Sequence, residues 1–411
     1  MVEPSSVFAV ISGIIIFGFL AEFLFRKYHI PDILLLVIMG FVLGPYVLKI
    51  VLPEQVVSFA PFFTTFALLF LIFDGAFNIN LVSFANGLTR SLSLSLFNYI
   101  ISFAAITGIL LAFGFDIQTA SLLGLILGGI SSAFVIPVIK QVKITKDTYS
   151  ILLFESAFTD VFSIVFSIAA MTIISLKIFD LKEIASTIAS LFAVAGFIGI
   201  IAGIAWIIIV TRILKQHKSY MLTIAYLLIV YTITEFLGGN GAIAALFLGL
   251  MLKNSRQLAE LFAGIRKQEA ADGNNKEKKI FISVTSPEEE FFYSQISFFL
   301  KTFFFAYIGI LFNPTDINSL LIGAAIAFSL LVARNASSLL TKSLPAFDRR
   351  MVNSIFARGL AAAVVAQLAI QYNIPQADMI LRIVYTAIIF SIILSSARIF
   401  MVMNKEKGVA S

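Results

Sequence analysis

The sequence predicts an all-α polytopic membrane protein with about 13 transmembrane helices. Of its 411 residues, 60% are hydrophobic and only 13% are charged, and the mean hydropathy of +1.01 lies far above that of soluble globular domains. The apolar residues are gathered into segments long enough to cross a bilayer, with polar residues between them. The absence of cysteine from the sequence excludes thiol chemistry, disulfides and iron–sulfur clusters.

The individual spans follow from the length of each apolar segment. In chain order the predicted spans cover residues 7–25, 31–50, 60–77, 89–113, 118–140, 149–176, 184–211, 219–237, 240–253, 291–312, 317–341, 351–372 and 379–402. The first segment has no basic start and no small-residue cleavage site, so we expect it to stay as a span and not to be removed as a signal peptide. The fifth contains GGISSAFVIP and the ninth begins with GGNGA, which favours helices that are broken where protein surrounds them.

The basic residues predict the orientation. With the N-terminus outside, 21 of the 29 Lys and Arg residues fall in loops on the cytoplasmic side, and only Lys49, Lys177, Lys182 and Arg382 fall outside. This bias predicts an N-terminus outside the cell membrane and a C-terminus in the cytoplasm. Because the net charge of +6 is spread over short loops between spans, we expect no nucleic-acid partner.

Two halves of the chain resemble each other weakly. The segments FVLG (41–44) and LFLG (246–249) match, as do FLIFDGAF (70–77) and FFAYIGIL (304–311). Six spans, one connector and six further spans place the halves in the membrane in opposite senses, which predicts the inverted repeat of secondary transporters. We therefore expect one transporter domain over 1–411. Its parts are repeat one (7–176), a connector helix (184–211), repeat two (219–402) and a cytoplasmic loop (254–290).

Several ionisable residues fall inside the predicted spans, where each costs about 2.5–3.5 kcal/mol to insert. Glu155 lies eight residues from the cytoplasmic Asp147, and Arg334 lies eight residues from Lys342, so both have the same depth. Glu155 and Arg334 are therefore predicted to form a structural ion pair. Lys301 is predicted either to reach a cytoplasmic cavity or to pair with Asp74, so both residues are secondary candidates for the site.

Asp160 has no basic residue of equal depth, because it lies 13 residues beyond Asp147. Burial disfavours its charged form, so a proton and a small cation would compete for the carboxylate. Oxygen ligands suit Na⁺, K⁺ or Li⁺. Four nearby side chains could supply them: Thr159, Ser156, Ser131 and Ser132. Arg358, in ARGL, is predicted to compensate the helix dipoles at a second break.

Four segments together resemble the monovalent cation:proton antiporters, nearest the NhaP-like sodium/proton exchangers. They are IPDILLLVIMGFVLGP (30–45), ESAFTD (155–160), LLVARNASSLL (330–340) and ARGLAAAVVA (357–366). The resemblance covers essentially the whole membrane region. It implies the NhaA-like antiporter fold, with a dimerisation domain, a core domain of six helices and two broken helices that cross beside the ion site.

The resemblance also implies residue roles. Asp160 would be the ion-binding aspartate, Glu155 the glutamate before it, Ser156 the adjoining serine and Arg334 the basic residue of the eleventh span. The family usually has Asn or Asp immediately before the binding aspartate, whereas this chain has Thr159, which cannot carry a proton and favours electroneutral 1:1 exchange. The fifth span also departs from the common Thr-Asp-Pro pattern and offers Ser131 and Ser132 instead.

These observations predict a secondary antiporter, not an enzyme. It would exchange a monovalent cation for H⁺ in the cell membrane, use no cofactor, serve pH homeostasis, contact membrane lipid and form a homodimer. Na⁺ is the first choice of cation, and a K⁺/H⁺ antiporter of the same fold stays open. A sodium-coupled symporter of an organic anion would need a polar cavity, whereas the mid-span residues are mostly Ala, Ile and Phe. A potassium channel would not need a titratable group at the midplane.

Overall fold

The computed structural model describes residues 4–28, 31–57, 59–77, 89–177, 180–210, 220–255 and 287–407, and within these ranges all regular secondary structure is helical. The α-helices are α1 (Pro4–Tyr28), α2 (Asp32–Leu43), α3 (Pro53–Val57), α4 (Ala60–Phe77), α5 (Thr89–Ala112), α6 (Ile117–Ile126), α7 (Ser132–Gln141), α8 (Lys146–Leu176), α9 (Leu181–Ile208), α10 (Tyr220–Phe236), α11 (Gly241–Lys253), α12 (Pro287–Leu311), α13 (Ile317–Ala333), α14 (Ala346–Ser354), α15 (Leu360–Gln371) and α16 (Ala377–Lys407). A 3₁₀ helix (Arg334–Leu339) follows α13 directly.

By length and composition, six of the described helices can cross a membrane: Val7–Phe25, Ser91–Ala112, Lys146–Leu176, Phe291–Leu311, Ile317–Leu339 and Ala377–Lys405. The shorter apolar helices are Asp32–Leu43, Ala60–Ala76, Ile117–Ile126, Phe192–Ile208, Tyr220–Phe236, Gly241–Lys253 and Leu360–Gln371. Each predicted span overlaps one helix of these two groups. The predicted fold class, an all-α polytopic membrane protein, is confirmed.

The chain divides into two compact units whose segments alternate along the sequence. The first comprises Met1–Ala67, Arg90–Ile178 and Phe298–Ser411, and the second comprises Leu68–Thr89 and Phe179–Ser297. Boundaries fall inside α4 and α12 and directly after the first residue of α5. The predicted repeats concern internal symmetry and stay a prediction, as does the connector between them. Most of the predicted loop 254–290 lies outside the described residues.

The first unit contains the break predicted in the fifth span. Helix α6 begins after Asp116, whose carboxylate caps it by accepting hydrogen bonds from the backbone N–H groups of Gln118 and Thr119. It ends at Ile126, and α7 begins at Ser132, with LGGIS (127–131) between them. A Cβ on Gly129 would lie 2.5 Å from the Thr159 carbonyl oxygen, so glycine is required for the break to approach α8.

A second break separates α14 from α15 at IFARG (355–359). The two breaks are in contact, because the Ser131 N–H donates a hydrogen bond to the Ala357 carbonyl oxygen over 2.9 Å. A Cβ on Gly359 would collide with the Ser131 side chain, so this approach also depends on a glycine. This hydrogen bond pairs an N–H group of one break with a carbonyl group of the other, and neither group has a partner within its own helix.

The long helix α8 carries both carboxylates of the predicted site. It begins after Thr145, whose hydroxyl oxygen accepts from the Thr148 N–H, and it continues for 31 residues. It ends at Leu176, and the next residue, Lys177, has the left-handed conformation with φ of 54°. α8 therefore runs unbroken beside the first break.

The second unit packs α9, α10 and α11 together. The indole of Trp206 stacks on the Tyr226 ring with centroids 4.4 Å apart, and the Tyr226 hydroxyl donates to the Ala202 carbonyl oxygen. Asn240 caps α11 by accepting from the Ile243 N–H, and Glu235 accepts from the Gly241 N–H over 2.7 Å. These caps close the short connection GGNGA, so the ninth span is a short continuous helix (Gly241–Lys253) and is not interrupted after its start.

Candidate functional site

The Asp160 carboxylate lies against the N-terminus of α7, directly after the first break. Its Oδ2 atom accepts a short hydrogen bond from the Ser132 hydroxyl and a second one, of 3.3 Å, from the Ser132 N–H. Both residues are partly exposed, whereas the neighbouring Thr159, Ser156 and Glu155 are at most 1% exposed. The carboxylate is therefore held by hydrogen bonds at the break, in a residue that is not completely enclosed.

Two hydroxyl groups on α8 hold the backbone of the break. The Thr159 Oγ1 atom accepts from the Ile130 N–H over 3.1 Å, and the Ser163 Oγ atom accepts from the Gly129 N–H over 3.1 Å. Thr159 and Ser163 are four residues apart and lie on one face of α8. This face supplies the acceptors that an interrupted helix needs at membrane depth.

The predicted oxygen ligands thus occupy different positions. Ser132 contacts Asp160 directly, Thr159 supports the break, and the Ser156 hydroxyl donates to the Leu153 carbonyl oxygen of its own helix over 2.9 Å. The buried Ser131 lies where the two breaks meet. Ser132 is accordingly the predicted ligand that the structure brings to the carboxylate by its side chain.

Arg358 places a buried cation at the second break. Only 1% of the residue is exposed, and its Nη2 atom donates to the Ser102 hydroxyl over 3.0 Å. Its backbone N–H donates to the Ser391 hydroxyl over 2.9 Å, whereas Nε and Nη1 have no hydrogen-bond partner among the described residues. A cation in this place opposes the negative ends of the half-helices that stop at the breaks.

Glu155 and Arg334 form a buried ion pair. The Arg334 Nη1 atom donates to Glu155 Oε1, and Nη2 donates to Oε2 over 2.9 Å, so the contact has two parallel bonds. The Arg334 Nε atom donates to the Val352 carbonyl oxygen over 2.9 Å. The side chains are 4% and 0% exposed for Arg334 and Glu155, so the pair is closed to water.

Asn98 completes this network, and the sequence analysis missed it. Its Nδ2 atom donates to Glu155 Oε1 over 2.8 Å, and its Oδ1 atom accepts from the Ser337 hydroxyl over 2.9 Å. The residue is buried on α5, in the segment SLSLFNYI. The available signal was a lone amide within an apolar span, because a buried amide needs hydrogen-bond partners.

Lys301 pairs with a different carboxylate from the one predicted. Its Nζ atom forms an ion pair with Asp32 Oδ2 over 2.6 Å, while Asp74 accepts a hydrogen bond from the Ser297 hydroxyl over 3.0 Å. Asp32 follows Pro31 at the start of α2 and also accepts from the Ile33 N–H. The pairing with Asp32 in place of Asp74 follows from the packing of α2, which depth counting along the sequence does not reveal.

The described residues contain no group of three His, Cys, Asp or Glu side chains that could hold a metal ion together. The arrangement at Asp160 instead offers one carboxylate, one hydroxyl and nearby backbone groups. Such oxygen donors bind a proton or a hard monovalent cation, and their one negative charge balances one positive charge.

An all-helical membrane chain in which two broken helices meet has the architecture of the secondary transporters. The family model described as "Sodium/hydrogen exchanger, transmembrane" matches residues 11–405. The chain belongs to this family, which consists of membrane transporters and not of enzymes.

Two solved structures share the fold of this chain. The structure of the sodium proton antiporter MjNhaP1 from Methanocaldococcus jannaschii at pH 8 superposes with a TM-score of 0.75 over 97% of this chain and 98% of that one, at 18% identity. An electron-microscopy map of MjNhaP1 gives a TM-score of 0.68, with 98% of each chain covered and 19% identity. These likenesses show the fold.

A curated relative from the same organism, named "Probable Na(+)/H(+) antiporter 2", is 32% identical over 195 residues. The match covers 46% of this chain and 44% of the relative, so the chain spans less than half the length of the curated relative it matches.

Proposed function

We propose that the protein exchanges a monovalent cation, Na⁺ first, for a proton at Asp160. The observation that carries the proposal is the position of this carboxylate beside the first break, where Ser132 donates two hydrogen bonds to it and the second break contacts the first. Family membership and the antiporter names of its relatives support the same reaction. K⁺ and Li⁺ are the other substrates to test.

The chemistry follows from one carboxylate with two competing ligands. Burial disfavours an unprotonated carboxylate without a cation, so Asp160 holds either a proton or the cation when its surroundings close. When the proton leaves, the Ser132 hydroxyl can turn its hydrogen away and offer its lone pairs to the cation. The site has the same net charge whether Asp160 holds a proton or a monovalent cation. Both loaded forms can therefore change from facing one side of the membrane to facing the other.

The residues around Asp160 also support one-for-one exchange. Thr159 has no acidic proton to transfer, and Glu155 is engaged by Arg334 and Asn98. A cycle that moves one cation against one proton transfers no net charge across the membrane. We therefore propose electroneutral exchange, with Thr159, Ser156 and Ser131 shaping the site and Glu155–Arg334 stabilising it.

The assembly and orientation of the protein belong to the same proposal. We place the N-terminus outside and the C-terminus in the cytoplasm, because the basic residues favour that side. We also propose a homodimer in contact with membrane lipid, the inverted repeat described from the sequence, and a role in pH homeostasis. Lys301 and Asp74 are retained as secondary candidates, with Lys301 acting through Asp32.

The test is a transport assay with a matched pair of variants. Proteoliposomes that contain a pH-sensitive dye receive pulses of Na⁺, K⁺ or Li⁺, and cation-dependent alkalinisation of the interior is expected from the unmodified protein. Asp160→Asn should abolish exchange, because the amide keeps the volume but loses the titratable charge. Asp378→Asn, an exposed acid in the first turn of α16, should leave exchange unchanged.

Two results would contradict the proposal. Appreciable exchange by a folded Asp160→Asn protein would remove the assignment of the carboxylate. A pH response that requires an added organic anion would replace antiport by symport. The order of the responses to the three cations identifies the substrate.

A further inference from the structure

Another buried carboxylate of the first unit lies away from the proposed ion site. Asp348, in the first turn of α14, is 3% exposed. Its Oδ2 atom accepts three hydrogen bonds: from the Thr145 N–H over 3.0 Å, from the Thr145 hydroxyl, and from the Thr148 hydroxyl over 2.7 Å. We call this carboxylate with its three donors the Asp348 cap.

The Asp348 cap holds the N-terminus of α8 from a distant part of the chain. The first N–H groups of a helix have no partner within the helix, and the positive end of the helix dipole favours a negative charge there. The capping side chains of α6, α9, α11 and α13 (Asp116, Asp180, Asn240 and Asp316) come from the residue directly before each helix. At α8 the local cap, Thr145, is itself hydrogen-bonded to a residue 203 positions away.

The two helices that meet at the Asp348 cap, α8 and α14, are each connected along the chain to the proposed ion site. Along α8, Asp160 lies twelve residues beyond Thr148, or about 18 Å at 1.5 Å per residue. Along the other element, α14 ends at Ser354 and the second break follows, where Ala357 contacts Ser131 of the first break. A rotation or shift of α8 against α14 would therefore change the distance between Asp160 and the breaks.

We infer that Asp348 is a positioning residue, which fixes the height and rotation of α8 relative to α14 and so sets the affinity of Asp160 for its cation. The inference rests on the proposed function of Asp160. Asp348 does not contact the ion in this role. It acts through Thr145 and Thr148, so its effect should appear in cation affinity more than in the maximal rate.

The first measurement reports the position of α8 without any transport. Because the sequence contains no cysteine, Ser150→Cys and Ala346→Cys introduce two unique exposed sites for spin labels, one near the start of α8 and one at the start of α14. Asp348→Ala should broaden the distance distribution between these labels, and Thr148→Val, which removes one donor, should broaden it less. Asp348→Asn keeps an acceptor oxygen and should restore most of the narrow distribution.

The second measurement reports the ion site. In proteoliposomes, Asp348→Ala should raise the half-saturating Na⁺ concentration by about tenfold, which lies within the roughly hundredfold loss that a distant mutation can cause by misplacing a reacting group by about 1 Å. The maximal rate should change by less than about twofold, as expected when binding alone is weakened. Asp348→Asn should lie between Asp348→Ala and the unmodified protein. The control is Asp378→Ala, an exposed acid at the start of another helix, which should change neither quantity.

The outcomes separate the two proposals. Calorimetric titration of the detergent-solubilised protein with Na⁺ measures binding independently of transport. If the unmodified protein neither binds nor exchanges any of the three cations, the proposed function is wrong and the positioning role falls with it. If it does bind, and Asp348→Ala binds with equal affinity while the label distances broaden, Asp348 stabilises the helix only and the inference is overturned.

Discussion

Glu155 and Asp160 lie five residues apart on α8, yet their carboxylates have opposite surroundings. Glu155 is fully buried, and both of its oxygens are bonded to Arg334, with Asn98 as a third donor partner. Asp160 is partly exposed and uses one oxygen to accept from Ser132. Insertion of either carboxylate costs about 2.5–3.5 kcal/mol, so the cost alone does not distinguish them.

The comparison teaches that the partners of a membrane carboxylate decide its role. A carboxylate whose acceptor positions are filled by a cation and an amide keeps its charge and has no place for a second ligand. A carboxylate with a remaining oxygen and no buried cation bonded to it can accept a proton or a cation. Variants that remove partners from Glu155 or from Asp160 test this difference directly.

The largest effect on stability is expected from Glu155→Gln. It leaves the Arg334 guanidinium buried without a counter-ion, which should lower the free energy of unfolding by about 3–5 kcal/mol. Thermal unfolding in detergent measures the loss as a lower melting temperature. The double variant Glu155→Gln with Arg334→Gln removes both charges and should recover part of the stability. A double variant that merely adds the two single losses would contradict the ion-pair interpretation.

A smaller loss is expected from Asn98→Leu, which keeps a similar volume but removes an amide donor from Glu155 and an acceptor from Ser337. The unpaired groups should cost about 1–3 kcal/mol. Asn335→Leu provides the control, because the side-chain bond that it removes, from Arg398 to Asn335 Oδ1, lies in an exposed position on the neighbouring 3₁₀ helix. Equal melting temperatures for the two variants would show that Asn98 adds nothing to the buried network.

The spans and the pairing of Glu155 with Arg334 could be predicted from the sequence for a physical reason. Apolar segments must match the thickness of a bilayer, and charges in them need partners. The number of residues between a charge and the membrane surface therefore gives its depth, which can be compared between spans. Glu155 and Arg334 each lie eight residues from the cytoplasmic side of their spans, which predicts that they pair, and the structure has them in contact.

The contacts of Lys301, Asn98 and Asp348 could not be predicted in the same way. Depth along the chain gives no information about which helix lies beside which, so it offers Lys301 a cytoplasmic cavity or Asp74 and does not point to Asp32. Asn98 carries no charge, so its position in a span does not by itself call for an oppositely charged partner. Asp348 lies in a connecting segment, and its contact with Thr145 depends on how α14 approaches α8.

Ser132→Ala tests how the hydroxyl group bonded to Asp160 affects the protonation of its carboxylate. The hydroxyl stabilises the charged carboxylate by donating to it, so its removal favours the protonated form. We expect a loss of about 1.5 kcal/mol, at the lower end for a hydrogen bond to a charged group, because the Ser132 N–H still donates. The pH at which exchange is half-maximal should accordingly rise by about one unit, since one unit corresponds to 1.36 kcal/mol.

The control for this variant is Ser163→Ala. It removes a hydroxyl that holds Gly129 in the same break without contacting the carboxylate. The pH profile of this control should stay in place, even if the protein becomes less stable. If both variants move the profile equally, the shift comes from a loosened break and not from the lost donor.

The smallest expected effect is the response to membrane voltage, which should be zero. If Asp160 alone titrates, one cation replaces one proton, and the membrane potential performs no net work on the cycle. A cycle that moved one net charge would gain about 2.3 kcal/mol per 100 mV, enough to shift the balance of the gradients by tens-fold. The measurement clamps proteoliposomes with K⁺ and valinomycin, uses Na⁺ as the test ion, and records the pH difference at which exchange stops. A stopping point that moves with the clamped voltage would require a second proton carrier, and Glu155 is the least suitable one because its oxygens are already bonded.

Thr159→Asp sharpens the same comparison by adding a carboxylate beside Asp160. We expect it to create only partial voltage sensitivity, because the new carboxylate occupies a buried position and repels that of Asp160, so that one of the two retains its proton through the cycle.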